Sequence, residues 1–242
     1  MRYLALLVTL SVMVFASDYQ GAMLNIMTPV SGLSEGSFEI TVNHRFFGEA
    51  FEDSPLESFF GMDDGANVAF GIRYFPMDNA YLSYGNGISA RSHSIELGWM
   101  ESALEPAFFE LNAGYYTFRT GSTANDDWEG GLTATVGLSA LLAGDMIRPV
   151  VNYAYDGHQE EGGPGFGLEF YVMEDMSLWG EYFPAANDVA ENDCFSFGSR
   201  YSTWGHQFLL ALTNNPWIGP QTQIMGVNGD ELAVGFQIRR MF

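Results

Sequence analysis

Apolar and polar residues alternate with a period of two along most of this chain, and helical spacing is almost absent. One face of the clearest stretch carries Phe38, Ile40, Val42, His44 and Phe46, and the other face carries Glu39, Thr41, Asn43 and Arg45. The same alternation recurs in eleven further segments, near residues 67–74, 80–84, 93–99, 109–115, 132–138, 147–153, 166–172, 178–182, 195–201, 208–212 and 232–242. Such alternation is typical of strands that face two different environments, so it predicts twelve strands.

The residues opposite the apolar face decide between a sandwich and a barrel. They are mostly Gly, Ala, Ser, Thr and Asn, which suit the crowded interior of a narrow barrel better than a surface in water. The apolar faces then point into lipid, where closure satisfies every backbone hydrogen bond. We therefore predict an all-β fold, a single antiparallel transmembrane β-barrel over residues 37–242. The alternative is a soluble secreted β-sandwich or lipocalin-like barrel with the apolar faces inside.

The connections between the predicted strands alternate between long and short. Short turns at one end, long loops at the other and an even strand number are typical of outer-membrane barrels, with both termini in the periplasm. Aromatic residues near the strand ends fit the two interfacial girdles of such a barrel. They are Phe46, Phe47, Tyr74, Phe75, Tyr115, Tyr116, Phe118, Tyr153, Tyr155, Tyr182, Phe183, Tyr201 and Trp204. The predicted location is the outer membrane of a Gram-negative-type bacterium.

The N-terminus has the order of a secretory signal peptide. Arg2 precedes a short apolar run from Leu4 to Phe15, and the small residue Ala16 follows. This run is too short for a membrane-spanning helix. We predict a signal peptide over residues 1–16, followed by an N-terminal periplasmic segment over 17–36.

Composition narrows the classes of partner and cofactor. The chain has 30 acidic residues, nine arginines and no lysine, a net charge of −21, which disfavours nucleic-acid binding because phosphate recognition needs clustered cations. Its single cysteine, Cys194, excludes a disulfide framework and a cysteine-based zinc site. No nucleotide-binding glycine pattern follows a strand and opens a helix, and we predict no cofactor and no metal site.

Two stretches carry a resemblance to a known family. His44-Arg45-Phe46 and the run from Phe60 to Asn67 resemble an uncharacterised family of outer-membrane β-barrels from Bacteroidetes-like bacteria. Phe242, which ends an amphipathic strand, resembles the terminal assembly signal of bacterial outer-membrane barrels. The resemblance implies the barrel fold and a contact with the barrel assembly machinery through the C-terminal strand, but no catalytic residues.

Strand parity places charged residues inside the barrel, five acids and five arginines. These lumen-lining ionic residues are Glu39, Arg45, Arg73, Glu96, Glu110, Arg148, Glu169, Glu181, Arg200 and Arg239. One interpretation is a network of ion pairs and hydrogen bonds that fills the lumen, because a buried charge without a partner is costly. The other is a narrow water-filled pore lined by opposed charges. Since this set is balanced, the excess acid lies in the connections, mostly the long outward ones.

The first long connection is predicted to act as a mouth loop. Its apolar residues need cover, so it folds into or over the barrel mouth, or else forms a flexible rim. The residues concerned are Phe51, Phe59, Phe60, Asp63 and Asp64. External acidic loops attract divalent cations, but the EF-hand spacing is missing.

Catalysis is not predicted. A lipid-facing hydrolase needs His and Ser two residues apart on one strand face, whereas Ser92 and Ser94 flank His93 on the opposite face. The predicted function is a narrow passive channel for small solutes or ions. One alternative is a structural or surface-interaction barrel with a filled lumen. The other, which fits the pattern of apolar and small residues less well, is the soluble secreted fold.

Overall fold

The described residues form twelve antiparallel strands, and one short helix precedes the last. A computed structural model describes residues 24–26, 34–51, 54–89, 91–101, 106–120, 127–187, 190–229 and 231–242. The strands are β1 (Phe38–Phe46), β2 (Ala66–Met77), β3 (Ala80–Gly87), β4 (Ser92–Glu101), β5 (Ala107–Arg119), β6 (Trp128–Ala140), β7 (Ile147–Asp156), β8 (Glu161–Tyr171), β9 (Met176–Phe183), β10 (Cys194–Thr203), β11 (His206–Thr213) and β12 (Ala233–Met241). The helix α1 spans Pro220–Gln223.

The strands form one closed barrel. Each strand pairs with its neighbour in sequence, and β1 pairs with β12, for example through Val42 opposite Ile238. Closure leaves no sheet edge, so every strand can exchange backbone hydrogen bonds on both sides. The predicted twelve-stranded antiparallel barrel is confirmed.

The two ends of the barrel differ in their connections. At the terminal end, which carries Phe38 and Phe242, the connections span two to six residues; at the loop end they span four to nineteen. The alternation of long and short is therefore not strict, because residues 88–91 and 157–160 at the loop end form connections of only four residues. The reason is that β3 and β8 extend through Asn86–Gly87 and Glu161–Gly165, which the sequence pattern assigns to loops.

The exterior is apolar between two aromatic girdles. Tyr84, Tyr115, Trp128, Tyr153 and Tyr182 are exposed towards the loop end, and Tyr74, Trp99, Tyr201 and Trp204 towards the terminal end. Exposed Ile and Leu side chains fill the band between them, as a lipid-facing surface requires. Four aromatic residues predicted for the girdles belong to the inner face of their strands instead: Phe75, Tyr116, Phe118 and Phe183.

The N-terminal region is described only in part. The predicted signal peptide, residues 1–16, lies outside the described residues. Of the predicted periplasmic segment, Leu24–Ile26 lie buried within the barrel, whereas Glu35 and Gly36 lie at its terminal end, where the Gly36 amide donates to the Phe75 carbonyl at 2.8 Å. Among the described residues, no helix has the length and apolar character needed to cross a bilayer.

Two apolar clusters occupy the interior. The larger one joins the inner faces of β7, β9, β10 and β11 to Leu24, Ile26 and Ile224, with Trp179 and Phe183 as its largest members. The smaller one comprises Phe75, Tyr81, Met100 and Met241 near the terminal end. The β7–β11 side of the lumen therefore contains a packed apolar cluster beside its buried polar residues.

Candidate functional site in the barrel interior

All ten lumen-lining ionic residues face the interior. Eight of them are buried: Glu39, Arg45, Glu110, Arg148, Glu169, Glu181, Arg200 and Arg239. Arg73 and Glu96 are partly exposed to the lumen. Because charged side chains are rarely buried without partners, the contacts of each one show how the interior is organised.

A hydrogen-bonded network joins β1 to β5 on one wall of the barrel. The Tyr81 hydroxyl donates to Glu110 at 2.7 Å and accepts from the Asn112 amide at 2.9 Å. Asn112 also donates to Glu96 at 3.0 Å. Arg73 lies over the Tyr81 ring at 4.4 Å and forms an ion pair with Glu39 at 3.8 Å. Tyr81 thus connects an acidic cluster to an arginine.

The facing wall, from β7 to β12, is rich in arginine. Arg200 pairs with Glu169 at 2.6 Å and donates to the Tyr171 hydroxyl at 3.3 Å. Arg148 lies 5.8 Å from the Tyr171 ring, and Arg239 donates to Gln237 at 3.1 Å. The aromatic and amide partners hold these guanidinium groups in place inside the barrel.

Leaving aside Arg45, Glu181 and the buried Asp156 of β7, which lie towards the loop end, the ionic residues of the two walls have opposite net charge. The first wall holds three carboxylates, Glu39, Glu96 and Glu110, against Arg73. The second holds three arginines, Arg148, Arg200 and Arg239, against Glu169. Seven of these eight residues lie within four residues of the terminal end of their strands, and Glu96 lies near the middle of β4. These eight residues thus place an excess of acid on one wall and an excess of arginine on the other.

The remaining pair, Arg45 and Glu181, lies towards the loop end and holds the N-terminal segment. Glu181 accepts hydrogen bonds from the backbone amides of Asn25 at 2.8 Å and Ile26 at 2.9 Å. Arg45 donates to the carbonyls of Leu24 and Trp217. The sequence pattern does not reveal this contact, because Leu24–Ile26 belong to no strand.

The connection between β11 and β12 enters the loop-end mouth. Its helix α1 places Gln223 and Ile224 in the interior, and Ile224 packs in the larger apolar cluster. The Asn67 amide donates to the Pro216 carbonyl at 3.1 Å, which ties this connection to β2. The element that narrows the mouth is therefore the last long loop.

The predicted mouth loop, between β1 and β2, is largely exposed. Phe51 and Phe59 are 57% and 65% exposed, Phe60 is partly buried, and Asp63 and Asp64 are exposed. The expectation that the apolar residues of this loop are covered is therefore wrong for Phe51 and Phe59. The two arms of the loop approach each other closely at Gly48 and Gly61, because a Cβ at Gly48 would lie 2.5 Å from the Gly61 carbonyl oxygen.

A cavity of about 810 Å³ remains beside the last loop. It runs along the inner faces of β1 to β5 and is bounded by Asn67, Glu96, Tyr116, Asp156 and Trp217. Tyr116 donates to Asp156 at 2.8 Å, so this buried carboxylate is already occupied by its neighbours. Within the described ranges, no group of three or more His, Cys, Asp or Glu side chains is placed to hold a metal ion.

Comparison with solved structures finds barrels of similar fold. The chain resembles the KdgM porin with a TM-score of 0.55 and 8% identity, over 85% of this chain and 99% of that one. It also matches the NanC porin (TM-score 0.49, 8% identity, 84% and 98% covered). A third match is the outer membrane protein Omp33 of Acinetobacter baumannii (TM-score 0.48, 10% identity, 86% and 99% covered). Comparison with curated protein sequences finds no match.

The closed barrel, its apolar exterior and its aromatic girdles make this chain an outer-membrane β-barrel. Residues 138–242 match the family described as "Membrane bound beta barrel domain (DUF5777)". The resemblance to an uncharacterised family of outer-membrane barrels is confirmed, although the match covers the second half of the chain and not the stretch from His44 to Asn67. The soluble secreted alternative is therefore wrong.

Proposed function

We propose that this barrel is a narrow, non-catalytic passive channel for small polar solutes or ions, with its path along the inner faces of β1 to β5. The single observation that carries the proposal is the cavity of about 810 Å³, which is bounded by polar and apolar residues at the loop end and reaches Glu96 of the first wall. A cavity of this kind admits water, and opposed charges beyond it would act on the passing solute.

The two oppositely charged walls support a selective constriction. A solute that passes between Glu110 and Arg148 would meet a carboxylate on one side and a guanidinium on the other. Such a field orients dipolar molecules and slows apolar ones, since an apolar molecule must displace bound water without replacing its contacts. Tyr81 and its cluster with Phe75 and Met100 narrow the same region.

Recordings from purified barrels in planar lipid bilayers test the proposal. We expect small, discrete conductance steps, and a larger step after Tyr81→Ser, which removes the ring from the constriction. The matched control is Tyr74→Ser, because Tyr74 lies on the lipid-facing side of the neighbouring strand. Absence of conductance at every voltage in the wild type and in Tyr81→Ser would refute the channel.

The second candidate is a structural or surface-interaction barrel with a filled lumen. It is favoured by the β7–β11 side, where Trp179, Phe183 and Ile224 pack in one apolar cluster. It predicts no conductance in either variant, together with binding of a partner at the loop end. The same bilayer recordings therefore separate the two functions.

A further inference from the structure

Leu24–Ile26 lie inside the barrel near the loop end. They contact Glu181 on β9 and, through the Leu24 carbonyl, the side chain of Arg45 on β1. In the circular order of strands, β1 and β9 are separated by β12, β11 and β10, and the two long side chains reach these three residues from both strands. All three residues are buried, with Ile26 only 1% exposed.

The contact with Glu181 recognises peptide backbone. Both backbone amides, of Asn25 and Ile26, donate to the same oxygen, Oε1, and the Asn25 side-chain amide donates to Oε2 at 3.1 Å. The Asn25 side chain also donates to Ser196 at 3.3 Å. Two successive N–H groups that converge on one oxygen form a concave anion site, which requires a bent backbone, and Leu24–Ile26 form such a bend. The contact is made by the backbone and is therefore largely independent of the side chains.

The surroundings of this carboxylate form an apolar pocket. Leu24 and Ile26 pack in the cluster that contains Val150, Trp179 and Phe183. Glu181 itself is buried, and a buried carboxylate that loses its donors costs several kcal/mol unless water replaces them. Departure of the segment would therefore draw water into the β7–β11 side of the lumen.

From this geometry we propose that the pocket around Glu181 is a binding site for a bent peptide segment, and that Leu24–Ile26 are its resident ligand and act as a removable plug. The inference rests on the proposed channel function, because the plug matters only if the lumen conducts. It assigns Glu181 and Ser196 to holding the peptide backbone, and the apolar cluster to holding the Leu24 and Ile26 side chains.

The first test places a charge in the pocket. Ile26→Asp puts a second carboxylate beside Glu181, and we expect its conductance to rise severalfold above wild type. Leu56→Asp is the matched control, because Leu56 is 80% exposed on the first long loop. A carboxylate added there stays in water, so the conductance should remain at the wild-type value. Should Ile26→Asp fail to fold, Glu181→Gln preserves the side-chain volume, removes the charge that holds the two amides, and serves in its place.

The second test restores the ligand from solution. A synthetic peptide of residues 22–28 should return the Ile26→Asp barrel to the wild-type conductance. The same peptide with Asn25→Pro lacks one of the two N–H donors to Glu181 and should have no effect. A response to both peptides, or to neither, would overturn the backbone-recognition site.

A third measurement separates failure of the plug from failure of the channel. Asn25→Cys in a Cys194→Ser background reports, through reaction with a membrane-impermeant maleimide, whether the segment has left the pocket. If adding Glu181→Gln makes the introduced thiol react with the maleimide and also raises the conductance, the proposal is supported. If the thiol reacts but the conductance equals that of a conducting wild type, the plug alone is refuted. If the thiol reacts and no variant conducts, the channel and the plug are refuted together.

Discussion

Gly98→Ala tests the packing of Tyr81, on which the polar network of the first wall depends. A Cβ at position 98 would lie 2.0 Å from Cζ and 2.1 Å from Cε1 of the Tyr81 ring, so the ring has to move. Tyr81 is 2% exposed and packs on Phe75 and Met100, which leaves it no free direction. The substitution is therefore expected to displace the ring and pull its hydroxyl away from Glu110.

The expected cost has two parts. Overpacking a well-filled interior costs about 1–3 kcal/mol. Withdrawing the hydroxyl from buried Glu110 adds about 1–3 kcal/mol, because the carboxylate loses a donor. We expect the free energy of unfolding of Gly98→Ala to fall by about 2–6 kcal/mol, and that of Tyr81→Phe, which keeps the ring, to fall by only about 1–3 kcal/mol.

Equilibrium urea titration of the barrel in lipid vesicles, followed by tryptophan fluorescence, measures these changes, and the neighbouring Trp99 provides a local signal. Gly71→Ala is the control, since a Cβ at Gly71 would meet Thr41 at an ordinary 3.6 Å. In a Tyr81→Ser background the clash is gone, so Gly98→Ala should cost almost nothing there. Equal stability of Gly98→Ala and Gly71→Ala in the wild-type background would refute this account of Tyr81.

Three further outcomes follow from other contacts. Arg200→Met leaves buried Glu169 without its ion pair. In the same urea titration the free energy of unfolding should fall by about 3–5 kcal/mol. The double variant Arg200→Met/Glu169→Leu should regain part of this lost stability. Phe242→Ser removes the ring that stacks on Phe38 at 4.7 Å and alters the proposed assembly signal. The fraction of the protein that is membrane-inserted and heat-modifiable on gels should therefore fall. The control Phe47→Ser should leave this fraction unchanged. Hydrogen bonds from the Tyr182 hydroxyl and the Ala185 amide lower the pKa of Asp193. These bonds therefore stabilise the fold at a pH above the ordinary Asp pKa, and their contribution is lost as the pH falls through the lowered value. The difference in the free energy of unfolding between wild type and Tyr182→Phe should shrink below about pH 4.

Periodicity predicts the wall of this barrel well because lipid imposes one simple requirement on every outward residue. The twelve strands and the inward position of all ten charged residues follow from that requirement. The filling of the lumen does not follow, because Leu24–Ile26 and the β11–β12 connection have no period and are placed by contacts with residues far away in sequence. The mouth loop shows the same limit, since its apolar composition indicates cover whereas Phe51 and Phe59 are exposed.

Glycines on the inner face explain why a small-residue wall does not by itself define an open pore. A Cβ at Gly165 would lie 2.4 Å from Cε1 of Phe183, and one at Gly114 would lie 2.7 Å from Cγ of Glu96. Together with Gly98 beneath Tyr81, these positions provide flat sites on which larger inward side chains lie against the wall. The small residues therefore make room for the aromatic rings and carboxylates that narrow the lumen.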